Sequence, residues 1–262
     1  MTILTAGPWT GEFGWELFCW QGALRHLALT YDKVIIASRP GHKLLYKDFC
    51  HKYIPCAADM NLCSAQHNYA EVRKNVFRGI KSTHHLNPKK MVGKQLFIKY
   101  GKQCNDLKYD VVMHAREIQK KDGNSRWGHE RFTAKVARNW DRDKWSLLTD
   151  QLVAEGLRVC CIGHPSAAFV MKKADNLTGI SLRRLADVLA SSRLTIGPSS
   201  GPMHFASLCG CPHYVWTAPR NKQRYQELWN PHHTPVKLHI DKSWNPDVNV
   251  IFKGVKEYLN VL

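Results

Sequence analysis

Three short stretches of this chain carry side chains suited to holding a phosphorylated ligand. They are His114 with Arg116, Gly163 with His164, and the run Ser199-Ser200-Gly201-Pro202-Met203-His204. An arginine can grip a diphosphate through two parallel N–H donors. A helix starting at Gly201 offers free amides and the positive end of its dipole to the same anion. Ser199 or Ser200 is its N-cap candidate, and Pro202 suits a first turn that needs no N–H there. A glycine-rich turn also serves packing alone, and His204 fits a buried, satisfied histidine. Two hydroxyls and an imidazole beside the free amides favour binding over packing. The chemistry indicated is capture of a nucleotide diphosphate.

Such groups must be positioned by elements that end together, and the pattern supplies them. Tyr109–Arg116 and Leu157–Gly163 read as strands ending in polar residues, and the stretch from Leu194 reads as the end of a buried strand entering a tight turn. Lys144–Glu155 and Leu182–Ser191 read as helices, followed by one entered at Ser199 or Ser200 and stopped by Gly210 and Pro212. Pro212–Trp216 closes this sheet and Asn249–Leu259 is a final helix. In open parallel sheets ligands bind beyond the carboxyl ends of the strands, so the three polar ends should share one crevice. The first part of the chain repeats the grammar. It has a strand over 2–7, a loop Trp9–Gly14 holding Glu12, and a helix Trp15–Leu29 holding Glu16. A strand Lys33–Ser38 and a helix Lys43–Tyr53 follow. Residues 54–107 are basic and less regular, with one strand near Gln95–Lys99. Trp15, Trp20 and Trp140 read as core or packing residues. The fold class is α/β, two Rossmann-like doubly wound halves, with domains 1–107 and 108–262.

A chain of 262 residues with 44% hydrophobic content buries a real core. No apolar run approaches the length of a membrane span. The N-terminus lacks a basic lead followed by an apolar segment, so the expected setting is cytoplasmic. Nine cysteines in largely apolar contexts read as reduced and buried. Cys50, Cys56 and Cys63 with His51 and His67 match no zinc spacing, so no metal site is assigned. The formal charge of +17 points to an anionic partner: nucleic acid, an anionic surface or a phosphorylated substrate.

Residues 108–218 resemble the lipopolysaccharide heptosyltransferase family, glycosyltransferase family 9 of the GT-B fold. The resemblance runs through strand-His114-Ala-Arg116, Asn139-Trp-Asp-Arg-Asp-Lys-Trp145, Cys161-Ile-Gly163, Leu177-Thr-Gly-Ile-Ser-Leu182 and Ile196-Gly-Pro-Ser-Ser-Gly-Pro-Met-His204. The last motif is the most specific, although Ser199 stands where the family's turn carries an aspartate. The first half is similar only in outline. The resemblance implies glycosyl transfer from a nucleotide-sugar donor, with no bound metal and no further cofactor. It places donor binding on His114, Arg116, Gly163, His164, Ser199, Ser200, Gly201, Met203 and His204. The domain 108–262 would hold that donor and 1–107 the acceptor. The family's catalytic base lies in the first Gly-acid loop, which assigns Glu12, with Glu16 as the second choice.

Basic residues gather over 73–108 and in the loop 116–142, where Lys120, Lys121, Arg126 and Arg131 are candidate acceptor contacts. A polyanionic acceptor follows. With no amphipathic basic helix that plainly lies on a membrane, the favoured reading is a hydroxymethylated base in DNA, as in phage-type DNA modification. The alternative is a phosphorylated lipid-linked glycan or lipopolysaccharide core. A third reading, a non-catalytic nucleic-acid-binding protein, accounts for the charge but not for a diphosphate crevice.

Overall fold

The computed structural model describes residues 1–57, 66–89, 91, 93–117 and 138–262. They form two compact units, Met1–Ile98 and Lys99–Leu262. Each unit is α/β with one wholly parallel sheet, the arrangement of two Rossmann-like halves.

The first unit contains β1 (Ile3–Ala6), α1 (Phe13–Cys19), α2 (Gln21–Leu27), β2 (Lys33–Ser38), β3 (Lys52–Pro55), α3 (Gln66–Val76) and β4 (His84–Leu86). Its four strands lie in the order β3-β2-β1-β4. The run Val34–Ala37 is buried throughout, as expected of a strand covered on both faces. Three features differ from the sequence reading. The helix expected over 15–29 is two helices broken at Trp20, whose indole is fully buried and stacks on Trp9 at 5.3 Å. The helix expected over 43–53 is a 3₁₀ turn, His42–Leu45, followed by β3. Tyr53 and Ile54 are strand formers, and their pairing with Ile36 and Ala37 overrides the helical spacing. The strand expected at 95–99 is absent, because the Leu96 amide bonds the Gly22 carbonyl at 3.0 Å instead of a neighbouring strand. The fourth strand is β4, paired with β1.

The second unit contains β5 (Val111–Met113), α4 (Arg142–Ala154), β6 (Val159–Gly163), β7 (Asp175–Thr178), α5 (Leu182–Ser191), β8 (Leu194–Pro198), α6 (Gly201–Cys209), β9 (His213–Thr217), β10 (Val236–Ile240) and α7 (Val248–Leu259). The six strands run β10-β9-β8-β5-β6-β7. Two edge strands escape the sequence pattern. β7 is mostly polar, and β10, beyond β9, means that 212–216 does not close the sheet. Capping fixes the helix starts. Ser181 accepts from the Arg184 amide, and Asp247 accepts from the amides of Asn249 and Val250. Trp140, Trp145 and Trp216 meet at centroid distances of 5.0–5.2 Å in the core beneath α4. Each such burial stabilises by about 2–3 kcal/mol, and together they fix α4 on the sheet. Among the described residues no helix is long and apolar enough to cross a membrane.

Candidate active site

In the second unit the carboxyl ends of β5, β6 and β8 are neighbours, since β5 pairs with both β6 and β8. His114 follows β5 and is buried. Its Nδ1 shares a 2.8 Å hydrogen bond with Ser200 Oγ at the start of α6. Burial first, then the nearby Arg116 charge, lower its pKa to about 3, so the imidazole is neutral at pH 7. Ser200 occupies the expected N-cap position, with its hydroxyl bonded to His114 and no side-chain hydrogen bond to the α6 amides. By helix geometry the amides of Gly201 and Met203 have no acceptor within α6, and Pro202 has no N–H.

Gly163, at the end of β6, has a φ of +135°. A Cβ there would lie 2.7 Å from Ala168 Cβ and 3.1 Å from the His114 ring, so the residue is a glycine for both torsion and contact. Gly197 has no positive φ. Its missing side chain makes room for the His114 carbonyl and the Met203 sulfur, which a Cβ would approach at 3.0 and 3.1 Å.

Arg116 is buried, and its Nη1 donates to Asn139 Oδ1 at 2.9 Å. Residues 115–117 are held by an antiparallel crossing with 167–169, the segment that leaves β6. Arg138 donates from Nη1 to the Ser199 carbonyl at 3.1 Å. Two guanidinium groups, two hydroxyls, a neutral imidazole and the α6 amides thus meet around one turn.

Other expected donor residues sit differently. His164 is exposed and bonds Ser166 Oγ at 2.7 Å within its own turn, rather than joining the cluster. Met203 is fully buried in a core cluster with Val215 and Tyr225, because the helical spacing turns it inward. His204 is buried, stacked on Tyr225 at 4.2 Å and edge-on to Trp229 at 4.6 Å. Burial foremost, followed by Arg224, holds its pKa well below the usual range. Tyr225 was not legible as a site residue. It sits in a π-helical turn, Arg224–Leu228, and its hydroxyl donates to Ser199 Oγ at 3.0 Å. Lys120, Lys121, Arg126 and Arg131 lie outside the described residues.

In the first unit Glu12 is exposed and opens α1 without capping it through its side chain. Glu16 is fully buried. Its carboxylate accepts from Ser38 Oγ at 2.5 Å, Tyr46 OH at 2.8 Å and Arg39 Nη1 at 2.9 Å, and meets His42 Nδ1 at 2.8 Å. Burial pushes its pKa up, but His42, Arg39 and Ser38 together outweigh that and hold it below the ordinary value. Arg39 also donates to the Gly11 carbonyl, tying Glu16 to the loop that carries Glu12. Among the described residues no group of three His, Cys, Asp or Glu side chains is arranged to hold a metal ion.

A family model described as glycosyltransferase family 9 (heptosyltransferase) matches residues 94–245. The structure is similar to that of E. coli heptosyltransferase WaaC with ADP, at a TM-score of 0.60 and 12% identity, covering 98% of this chain and 99% of that one. A glycosyl transferase family 9 structure from Veillonella parvula DSM 2008 gives 0.60 and 12%, covering 100% and 98%. E. coli ADP-heptose lps heptosyltransferase II gives 0.58 and 12%, covering 99% of both chains. At such identity the likeness shows the GT-B fold. No curated protein sequence matches the chain.

Proposed function

The chain belongs to glycosyltransferase family 9, and from that premise we propose that it moves a heptose-type sugar from an ADP-linked donor to a hydroxyl of a phosphorylated glycolipid such as a lipopolysaccharide core. The observation that carries the donor side is the turn joining β8 to α6. There the α6 amides, His114, Arg116 and Arg138 gather positive potential around Ser199 and Ser200. In the reaction Glu12 takes the proton from the acceptor hydroxyl, whose oxygen forms the new bond to the anomeric carbon as the bond to the diphosphate breaks. The departing diphosphate keeps the electron pair, and its charge is met by the α6 amides and guanidinium groups. Glu16 holds the Glu12 loop through Arg39. Because groups of the chain carry the leaving charge, transfer should persist in a chelator; its loss would point to a bound metal.

The acceptor assignment departs from the DNA reading favoured from the sequence. That reading rested on the lack of a basic amphipathic helix, since the basic surface itself suits a phosphorylated glycolipid as well as DNA. The family match supports the glycolipid. The deciding measurement offers ADP-heptose, UDP-glucose and GDP-mannose with either a phosphorylated lipopolysaccharide core or duplex DNA bearing hydroxymethylated bases. Transfer from ADP-heptose to the glycolipid is expected. Transfer to DNA alone would overturn the proposal.

A further inference from the structure

The first unit contains a cavity of about 410 Å³ that the transfer scheme does not use. It is lined by Arg73, Lys74 and Arg78 near the end of α3, by Phe77, and by Thr5 and His85 on the paired strands β1 and β4. Its place in the fold separates it from the loops that follow the strands. Tyr69, early in α3, donates to the Gly7 carbonyl just beyond β1. Phe77 lies two turns later, about 12 Å down the helix axis at 1.5 Å per residue. The wall is completed by Ser82, which precedes β4. The cavity therefore lies toward the starts of the strands, at the end of the sheet away from the loop that carries Glu12.

Its chemistry is strongly biased. Among the described residues no carboxylate forms an ion pair with Arg73, Lys74 or Arg78. Arg78 donates only to the neutral Asn75, at 2.7 Å. Thr5 Oγ1 and His85 Nδ1 share a 2.8 Å hydrogen bond at the floor, and the Phe77 ring meets the His85 ring edge-on at 5.3 Å. Burial and then Arg73 hold the His85 pKa down. Three cations facing one cavity complement a dianion better than a single carboxylate, and arginine forks match phosphate oxygens. The Phe77 wall suits the carbon side of an ester.

We propose that this cavity is a phosphate-ester site, distinct from the donor site, in which Arg73, Arg78 and Lys74 bind the phosphoryl oxygens. The ester is either a phospholipid headgroup or a soluble phosphomonoester, and the two sources are separable. This assignment does not depend on the transfer reaction, so its test reads binding alone.

The whole chain is titrated with inorganic phosphate against chloride at equal ionic strength, following the His85 ring by NMR. Binding is expected to saturate and to raise the His85 pKa, since a bound dianion offsets Arg73. The double variant Arg73→Gln, Arg78→Gln should weaken phosphate at least about tenfold. Lys237→Gln, Lys242→Gln removes the same charge from the other unit and should change nothing. In parallel, flotation with phosphatidylcholine vesicles with and without phosphatidic acid identifies the source. Recruitment by phosphatidic acid that the Arg73, Arg78 variant loses assigns a headgroup, while phosphate binding without recruitment assigns a soluble ester. The proposal is overturned if phosphate acts as chloride does, or if both double variants respond alike.

Discussion

His114 Nδ1 and Ser200 Oγ, 86 residues apart in sequence, meet at 2.8 Å and fasten the end of β5 to the first turn of α6. Burial first, then the nearby Arg116 charge, keep this imidazole neutral. Between about 3 and the ordinary value of 6.5 the unfolded chain protonates this histidine and the folded chain does not. Stability therefore falls as pH drops through that window and is unaffected by this group above it, with a limiting slope of about 1.4 kcal/mol per pH unit. Urea denaturation at pH 7.5 and 4.5 should show the loss, and His114→Gln should reduce it. An unchanged pH slope in the variant would mean that His114 takes up its proton without unfolding.

Arg116→Ala should weaken ADP by roughly ten- to a hundredfold in calorimetry, the range for one charge-assisted contact. Asn139→Ala should give a smaller loss, since it only orients the guanidinium. Wild-type affinity in Arg116→Ala would remove this residue from the donor site.

The two acidic residues of the first helix should separate by stability. Glu12→Gln should lower turnover by about a hundredfold or more with the melting temperature kept. Glu16→Gln strips a buried carboxylate from Arg39 and His42, so it should cost about 3–5 kcal/mol of stability. The opposite pattern, a stable inactive Glu16→Gln beside an active Glu12→Gln, would move the base one helical turn along.

Gly163→Ala should cost about 1–3 kcal/mol, through its φ and through contact with Ala168 and the His114 ring. Pairing it with Ala168→Gly relieves the closest contact but not the torsion, so only part of the loss should return. Thermal melts of the two variants report the split; full recovery would leave no role for the torsion.

The β8–turn–α6 unit was legible because apolar strand, Gly-Pro punctuation and apolar helix follow one another without ambiguity. α4, α5 and α7 were legible from their apolar spacing. β4 and β7 were not, since three residues reading His-His-Leu and four reading Asp-Asn-Leu-Thr gain strand character only from a neighbour's backbone. The site was legible as a set of motifs, but not as contacts. Glu16 could be seen as a carboxylate, whereas its partners Ser38, Arg39, His42 and Tyr46 lie at least 22 residues downstream. Tyr225 gave no signal, because its role is set by Ser199 and His204 from another strand–helix junction.

The strand order of the second sheet also bears on how the chain is made. β5 lies inside the sheet, yet one of its two neighbours, β8, begins only at Leu194. On the ribosome, β5, β6 and β7 emerge first and present an open, apolar edge for about one to four seconds at about 5–20 residues per second. Throughout that interval His114 waits for the serine that will bond it. Nascent chains halted just before residue 194 should therefore be the aggregation-prone ones, and chains released a few dozen residues later should not.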